Sequence, residues 1–424
     1  MTDAAWMHTL LDAARPQALA ALLRYFRDLD MAEEAFQDAC LRALKTWPRN
    51  GPPRDPAAWL IMVGRNAGID AVRRQRKQEA LPPEEVISDL GDTETALAEQ
   101  LDQADYRDDI LRLLFICCHP DLPPTQQIAL ALRVVSGLSV KQIARAFLVG
   151  ESAMEQRITR AKARVAKANV PFEAPGAFER AERVAAVATM IYLIFNEGYS
   201  AGHEASGERS SLCDEAIRLS RMLLRLFPAE PEIMGLTALM LLQHSRATAR
   251  FDADGAVVLL DDQDRSRWSQ PMIAEGLALI EKAIRHGRPG AYQVQAAIAA
   301  LHAEAARPED TDWVQIDLLY GTLERLLPSP VVTLNRAVAV SKVQGAEAAL
   351  AMVEPLADRL SGYFHFFGVK GAFLMQLGRA KEAHVAFDRA IALANTAAEA
   401  AQIRTYLDRL MQDAGQVSSG KTPV

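Results

Sequence analysis

Apolar residues recur at three- and four-residue spacing along nearly the whole chain, the period of a helix with one buried face. In EEAFQDACLRALKTW, Ala35, Phe36, Ala39, Leu44 and Trp47 are expected to face inward. Glu34, Asp38, Arg42 and Lys45 then form an exposed charged stripe. A Pro/Gly-rich loop at 48–56 separates this helix from a second, AAWLIMVGRNAGIDAVRRQRK. There Asn66, Asp70, Arg73 and Lys77 lie at i, i+4, i+7 and i+11, one polar stripe adjoined by Arg74. Residues 122–165 predict a helix-turn-helix. Ser139 is placed to cap the helix holding Val140, Ile143, Ala144 and Phe147. In the following helix, from about Ser152, Met154, Ile158, Ala161 and Val165 fall on one face and should pack inward. Ser152, Gln156, Thr159, Arg160 and Ala163 occupy the opposite face, with Arg157, Arg164 and Lys167 toward one flank. The best strand candidate is the five-residue AVVLL at 256–260, so the fold class is all-α.

At 424 residues the chain has room for two to four domains. Charge divides its first part. Arg65, Arg73, Arg74, Arg76 and Lys77 stand against Asp70 alone; 79–109 is strongly acidic with Arg107 its one base; 133–167 is basic again. We therefore expect a first module at 8–80, an acidic linker at 81–107, a second module at 108–170 and a helical extension at 176–415. Within the extension Ala216, Ser220, Leu223 and Pro228 have the spacing of the second helix of a tetratricopeptide repeat. Ala383, Phe387 and Ala390 repeat the first three of those spacings, preceded by Phe367, Gly371 and Leu374 at first-helix positions. Irregular stretches at 246–271 and 305–313 interrupt the pattern, so an imperfect helical-repeat domain is expected.

The net charge of −7 carries no global nucleic-acid signature, which moves the question to local surfaces. Amide and guanidinium groups on one stripe can hydrogen-bond bases and phosphates. Asp70, unwelcome beside phosphate, would orient an Arg or read a base amine. On the helix from Ser152, small residues allow close approach while Gln156 and Arg160 supply directional hydrogen bonds. Four cysteines without a disulfide framework, and an N-terminus without a basic leader, point to the cytoplasm. The apolar run Ala185–Phe195 is too short to span a membrane, so no membrane association is expected. Cys117-Cys118-His119 lacks metal-ligand spacing and reads as core. Asp261, Asp262 and Asp264 read as a solvated turn. No catalytic constellation, metal site or cofactor motif emerges, and the chain is not expected to be an enzyme.

The paired segments EEAFQDACLRALKTW and AWLIMVGRNAGIDAVRRQRK resemble the second conserved region of bacterial extracytoplasmic-function (ECF) sigma factors. Residues 122–165 resemble the fourth region, with Leu148 where a turn glycine is usual and Glu155 at a commonly basic position. The segments FNEGYSA and SLCDEAIRLSRMLLRLFPAEPE are similar to the subgroup with C-terminal tetratricopeptide-like domains. The resemblance implies partners: core RNA polymerase, through its β′ clamp helices and β flap, and promoter DNA. Glu34, Asp38 and Arg42 would meet the clamp helices. Asn66, Asp70, Arg73, Arg74 and Lys77 would act at the −10 element. Ser152, Gln156, Arg157, Thr159, Arg160 and Arg164 would act at the −35 element. The extension could contact the two modules within the chain, either restraining them or holding them productively. The sequence leaves an anti-sigma factor open. Rival readings are a helix-turn-helix activator, which leaves 32–77 unexplained, and a repeat scaffold, which leaves both modules unexplained.

Overall fold

The computed structural model describes residues 4–76, 103–147, 149–167, 177–199, 206–252, 257–394 and 403–404. Among these the regular structure is helical. The segment at 256–260, too short to count as a strand in the all-α reading, shows no strand in its described residues: an isolated bridge joins Phe251 to Val257, and Leu260–Asp262 turns into a 3-10 helix. With no neighbouring strand to complete its hydrogen bonds, so short an apolar run has no sheet to join.

Two compact units divide at residues 198 and 199. In the first, α1 (Ala4–Phe26), α2 (Leu29–Asn50) and α3 (Pro56–Arg76) pack pairwise against one another. Asp28 caps α2, its side chain accepting from the Met31 amide at 2.9 Å. Ala35, Phe36, Ala39 and Trp47 are buried as expected, and Trp47 meets Trp59 of α3 edge to face at 5.4 Å. Leu44 departs from the expectation: it is 41% exposed, because it lies about a quarter turn from the inward stripe of Phe36, Ala39, Ala43 and Trp47. The expected loop at 48–56 is shorter, since α2 runs through Pro48 to Asn50 and α3 begins at Pro56. Proline is tolerated at that first position because its missing amide would be unpaired anyway.

Four more helices follow in the same unit: α4 (Gln103–Cys117), α5 (Pro124–Val134), α6 (Val140–Ala146) and α7 (Glu151–Lys167). α4 packs on α1 and α5, and α7 packs on α5 and α6. α8 (Ala177–Tyr199) closes the unit, burying Ile191, Ile194 and Phe195 and laying Arg183 over the Phe115 ring at 5.6 Å. Cys117 and Cys118 are buried, and burial pushes the Cys118 thiol up to about 12.

The second unit is a succession of packed helices. It comprises α9 (Ser206–Leu226), α10 (Pro231–His244), α11 (Gln270–Ile284), α12 (Ala291–Glu304), α13 (Trp313–Leu326), α14 (Pro330–Val343), α15 (Ala346–Val353), α16 (Phe364–Gln376) and α17 (Ala380–Leu393). The repeat-spaced residues Ala216, Ser220 and Leu223 are buried, as are Ala383, Phe387 and Ala390. A Cβ at Gly371 would come within 2.8 Å of the Phe387 ring, which is the close helix approach that small residues at these positions permit. The irregular stretch before α11 is tied down by arginines. Arg250 stacks on Tyr199 at 3.7 Å, and Arg246 donates to the Tyr199 hydroxyl at 2.6 Å.

α10 and α12 approach closely at Gly235, where a Cβ would sit 2.5 Å from the Gln293 backbone nitrogen. Backbone cannot rotate away as a side chain can. Gly235→Ala should therefore cost about 1–3 kcal/mol in urea unfolding. Gly362→Ala, where a Cβ meets open space, should stay within about 0.5 kcal/mol.

Candidate nucleic-acid interface

The second module builds its exposed face from local chemistry. Ser139 accepts from the Gln142 amide at 3.2 Å, and the Gln142 side chain accepts from the Ser139 amide at 2.9 Å. This reciprocal cap starts α6 at the predicted residue. Gly137, at φ 75°, turns the chain between α5 and α6. Met154, Ile158, Ala161 and Val165 are buried beneath α7. That rotation leaves Ser152, Gln156, Thr159, Arg160 and Ala163 on the surface. Arg157 is half-buried on one flank. Arg164 is exposed and donates to the Asp121 carbonyl at 3.1 Å, so part of its hydrogen-bonding capacity holds the loop before α5.

In the first module Glu34, Asp38 and Arg42 are all exposed on α2. Leu41 (56% exposed) and Leu44 accompany them, so this face combines charge with two large apolar side chains. Only its charged members stand out in the sequence pattern. Asn66 is exposed on α3, and the backbone at Asp70, Arg73 and Arg74 is helical. Side-chain positions of those three, and Lys77 altogether, lie outside the described residues. Beside Asn66, Arg65 rests over the half-exposed Tyr25 ring at 4.8 Å. Along the sequence Arg65 stands out only as one charge in a basic block. Tyr25 lies on a different helix, and no local pattern joins the two.

The two modules meet through charge as well as helix packing. Lys162, on the flank of α7 opposite Arg157, reaches α2, where its Nζ donates to Asp30 at 2.8 Å and to Glu33. Glu33 is 5% exposed, and its other carboxylate oxygen lies 3.8 Å from Arg15 of α1. Arg15 spends its directional hydrogen bonds elsewhere, donating Nε to the Val134 carbonyl at 3.0 Å and Nη2 to that of Arg133 at 3.3 Å. These carbonyls belong to the last turn of α5, the negative end of its dipole. Burial pulls Arg15 below the usual guanidinium range against the pull of Glu33. Burial also disfavours the Lys162 ammonium, but Asp30 and Glu33 together raise it above its ordinary value. A second pairing sets Arg24 of α1 3.4 Å from the buried Asp109 of α4. Sequence reasoning found none of these partners, which lie far apart along the chain.

Among the described residues no group of three or more His, Cys, Asp or Glu is placed to hold a metal ion, and no helix is long and apolar enough to cross a membrane. Among the described residues α7 presents a polar face and α2 a face that mixes charge with two large apolar side chains.

Comparison with known proteins gives three family matches. Residues 10–78 match Sigma-70 region 2, and residues 112–165 match Sigma-70, region 4. Residues 183–284 match a family of unknown function, DUF6596. The chain is also 72% identical over 418 residues to the uncharacterized protein R00370 of Rhizobium meliloti (strain 1021), covering 99% of both chains.

Proposed function

The chain belongs to the ECF-like sigma factors with a C-terminal extension, and from that premise we propose how its surfaces divide the work of starting transcription. The sigma-70 domains make it a sigma factor for transcription initiation, which implies core RNA polymerase and promoter DNA as partners. Sigma factor families are not enzymes; the polymerase carries the chemistry.

In our reading the α2 face of Glu34, Asp38 and Arg42, widened by Leu41 and Leu44, docks on the β′ clamp helices. The α3 stripe of Asn66, Asp70, Arg73, Arg74 and Lys77 engages the −10 element. The outward face of α7, with Ser152, Gln156, Thr159 and Arg160, reads the −35 element in the major groove, while Arg157 and Arg164 hold phosphates. The observation that carries this reading is the rotation of α7. Met154, Ile158, Ala161 and Val165 are buried, and each of its candidate base-reading residues is exposed. Arg160→Ala should lose about 1–3 kcal/mol of discrimination at particular base pairs, measured by competition among −35 duplexes. A uniform loss on every sequence would make Arg160 a phosphate contact.

The extension, in our reading, is required rather than restraining. Support comes from α8, which buries Ile191, Ile194 and Phe195 and reaches Phe115 through Arg183, so that removing it strips packing from the first unit. The test is promoter-specific transcription in vitro with purified core polymerase and no other sigma factor. The full chain should support it, and a chain ending at residue 172 should lose it while staying soluble. No transcript from the full chain would overturn the sigma reading. Higher output from the truncated chain would make the extension a restraint.

A further inference from the structure

One group of arginines in the second unit differs from its neighbours. Elsewhere in that unit arginine sits against carboxylate, as Arg221 does with Glu275 at 2.5 Å and Arg336 with Asp317 at 2.8 Å. Arg246, Arg250 and Arg265 are each half-buried, and among the described residues none of them has a carboxylate partner. The acids that act on Arg265 from a distance are Asp261, Asp310 and Glu309. Asp261 pairs instead with Lys342, and Glu309 and Asp310 with Arg307.

The groups that the three arginines touch are uncharged. Arg246 donates to the Tyr199 hydroxyl at 2.6 Å, while Arg250 stacks on the same ring and donates to the Tyr199 carbonyl at 2.8 Å. Arg265 donates to the carbonyls of His302 and Ala305, at 2.7 and 2.5 Å, where α12 ends. Helix ends supply only a fraction of a charge, so Arg250 and Arg265 are partly compensated and Arg246 is not. Two bonds tie the segments that carry them: the Ser269 amide donates to the Ser245 carbonyl at 2.8 Å, and the Thr248 hydroxyl to the Arg267 carbonyl at 2.8 Å. The field of this cluster reaches His302, which burial, Arg246 and Arg265 pull down to about 4. In the same segment Nε of Arg265 and Nε1 of Trp268 are buried donors with no acceptor among the described residues, and Trp268 is 4% exposed. Arg265 lies over the Trp268 ring at 5.1 Å, so the two donors are neighbours.

Clustered, half-buried cations with donors to spare favour an anion over water. A carboxylate is planar and is filled by one guanidinium fork. Three guanidinium groups from two tied segments, with an indole N–H beside them, offer more charge and more directions than a carboxylate can use. The oxygens of a phosphate dianion point in several directions and can use them. We propose that Arg246, Arg250 and Arg265, with Trp268, form a binding site for a phosphate group within the extension. Free phosphate and a phosphate monoester share that chemistry. All four residues fall in the segment 183–284 that matches the family of unknown function. They also lie wholly in the second unit, so binding there is independent of the sigma reading.

Phenylglyoxal modification followed by peptide mass spectrometry tests the site on the full chain. Inorganic phosphate is the probe, and sodium chloride at matched ionic strength is the control. With phosphate at about ten times its Kd, modification of Arg246 should slow about tenfold, while the exposed Arg285 keeps its rate. In calorimetric titration Arg246→Gln should bind phosphate about tenfold more weakly than the unaltered chain, with helicity by circular dichroism intact. If that variant does not fold, the protection measurement on the unaltered chain decides. Glycerol 3-phosphate protecting at lower concentration than phosphate would identify an ester as the ligand, and the reverse would identify free phosphate; either supports the site. Equal modification rates of Arg246 in phosphate and in chloride would overturn it. So would unchanged phosphate binding by folded Arg246→Gln, equal protection of Arg285, which marks general ion binding, or equal protection by succinate, which marks a carboxylate site.

Discussion

A carboxylate taken out of water must find compensating charge or take up a proton, and Glu33 lies where three helices bring compensating charge together. Lys162 comes from α7 and Arg15 from α1, while Glu33 itself belongs to α2. Because Arg15 also anchors the end of α5, the two sigma modules are coupled through one charge centre rather than through a broad apolar seam alone. A surface pair of this kind would contribute little. Glu33 is sealed from solvent, so losing a partner would leave its charge unpaired in the interior, which is costly.

Everything functional is then arranged by which face of each helix is spent on packing. α7 spends Met154, Ile158, Ala161 and Val165, and so presents Gln156 and Arg160. α2 spends Ala35, Phe36, Ala39 and Trp47, and so presents Glu34, Asp38, Leu41 and Arg42. In the extension, Gly235 and Gly371 let helices approach until backbone or ring fills the space of a missing side chain. Among the described residues of the extension the ion pairs are distributed, among them Arg336 of α14 with Asp317 and Glu324 of α13.

Features governed by local spacing were legible in the sequence. Ser139 and Gln142 are three residues apart, and their capping box forms where the pattern places it. The buried stripe of α7 and the buried repeat positions Ala216, Leu223, Ala383 and Phe387 follow from helical periodicity alone. Leu44 was misplaced because residue type suggested burial where its angle around α2 gives exposure. The 256–260 segment, the best strand candidate, is rightly set aside in an all-α reading, because β-branched residues signal strand only where a partner strand exists. The Arg65–Tyr25 stack and the Glu33 network were invisible for a different reason. Both join residues from separate helices, and Lys162 is one basic residue among several in its block until packing selects it.

The account depends most directly on α2 being the polymerase-docking face. Equilibrium titration of fluorescently labelled core polymerase with the full chain, and with the Asp38→Arg/Arg42→Glu double variant, measures this. Both side chains are exposed, so the reversal should leave helicity by circular dichroism unchanged. The predicted result is a Kd weaker by about tenfold or more. An unchanged Kd with intact helicity would contradict the assignment of α2 to the polymerase.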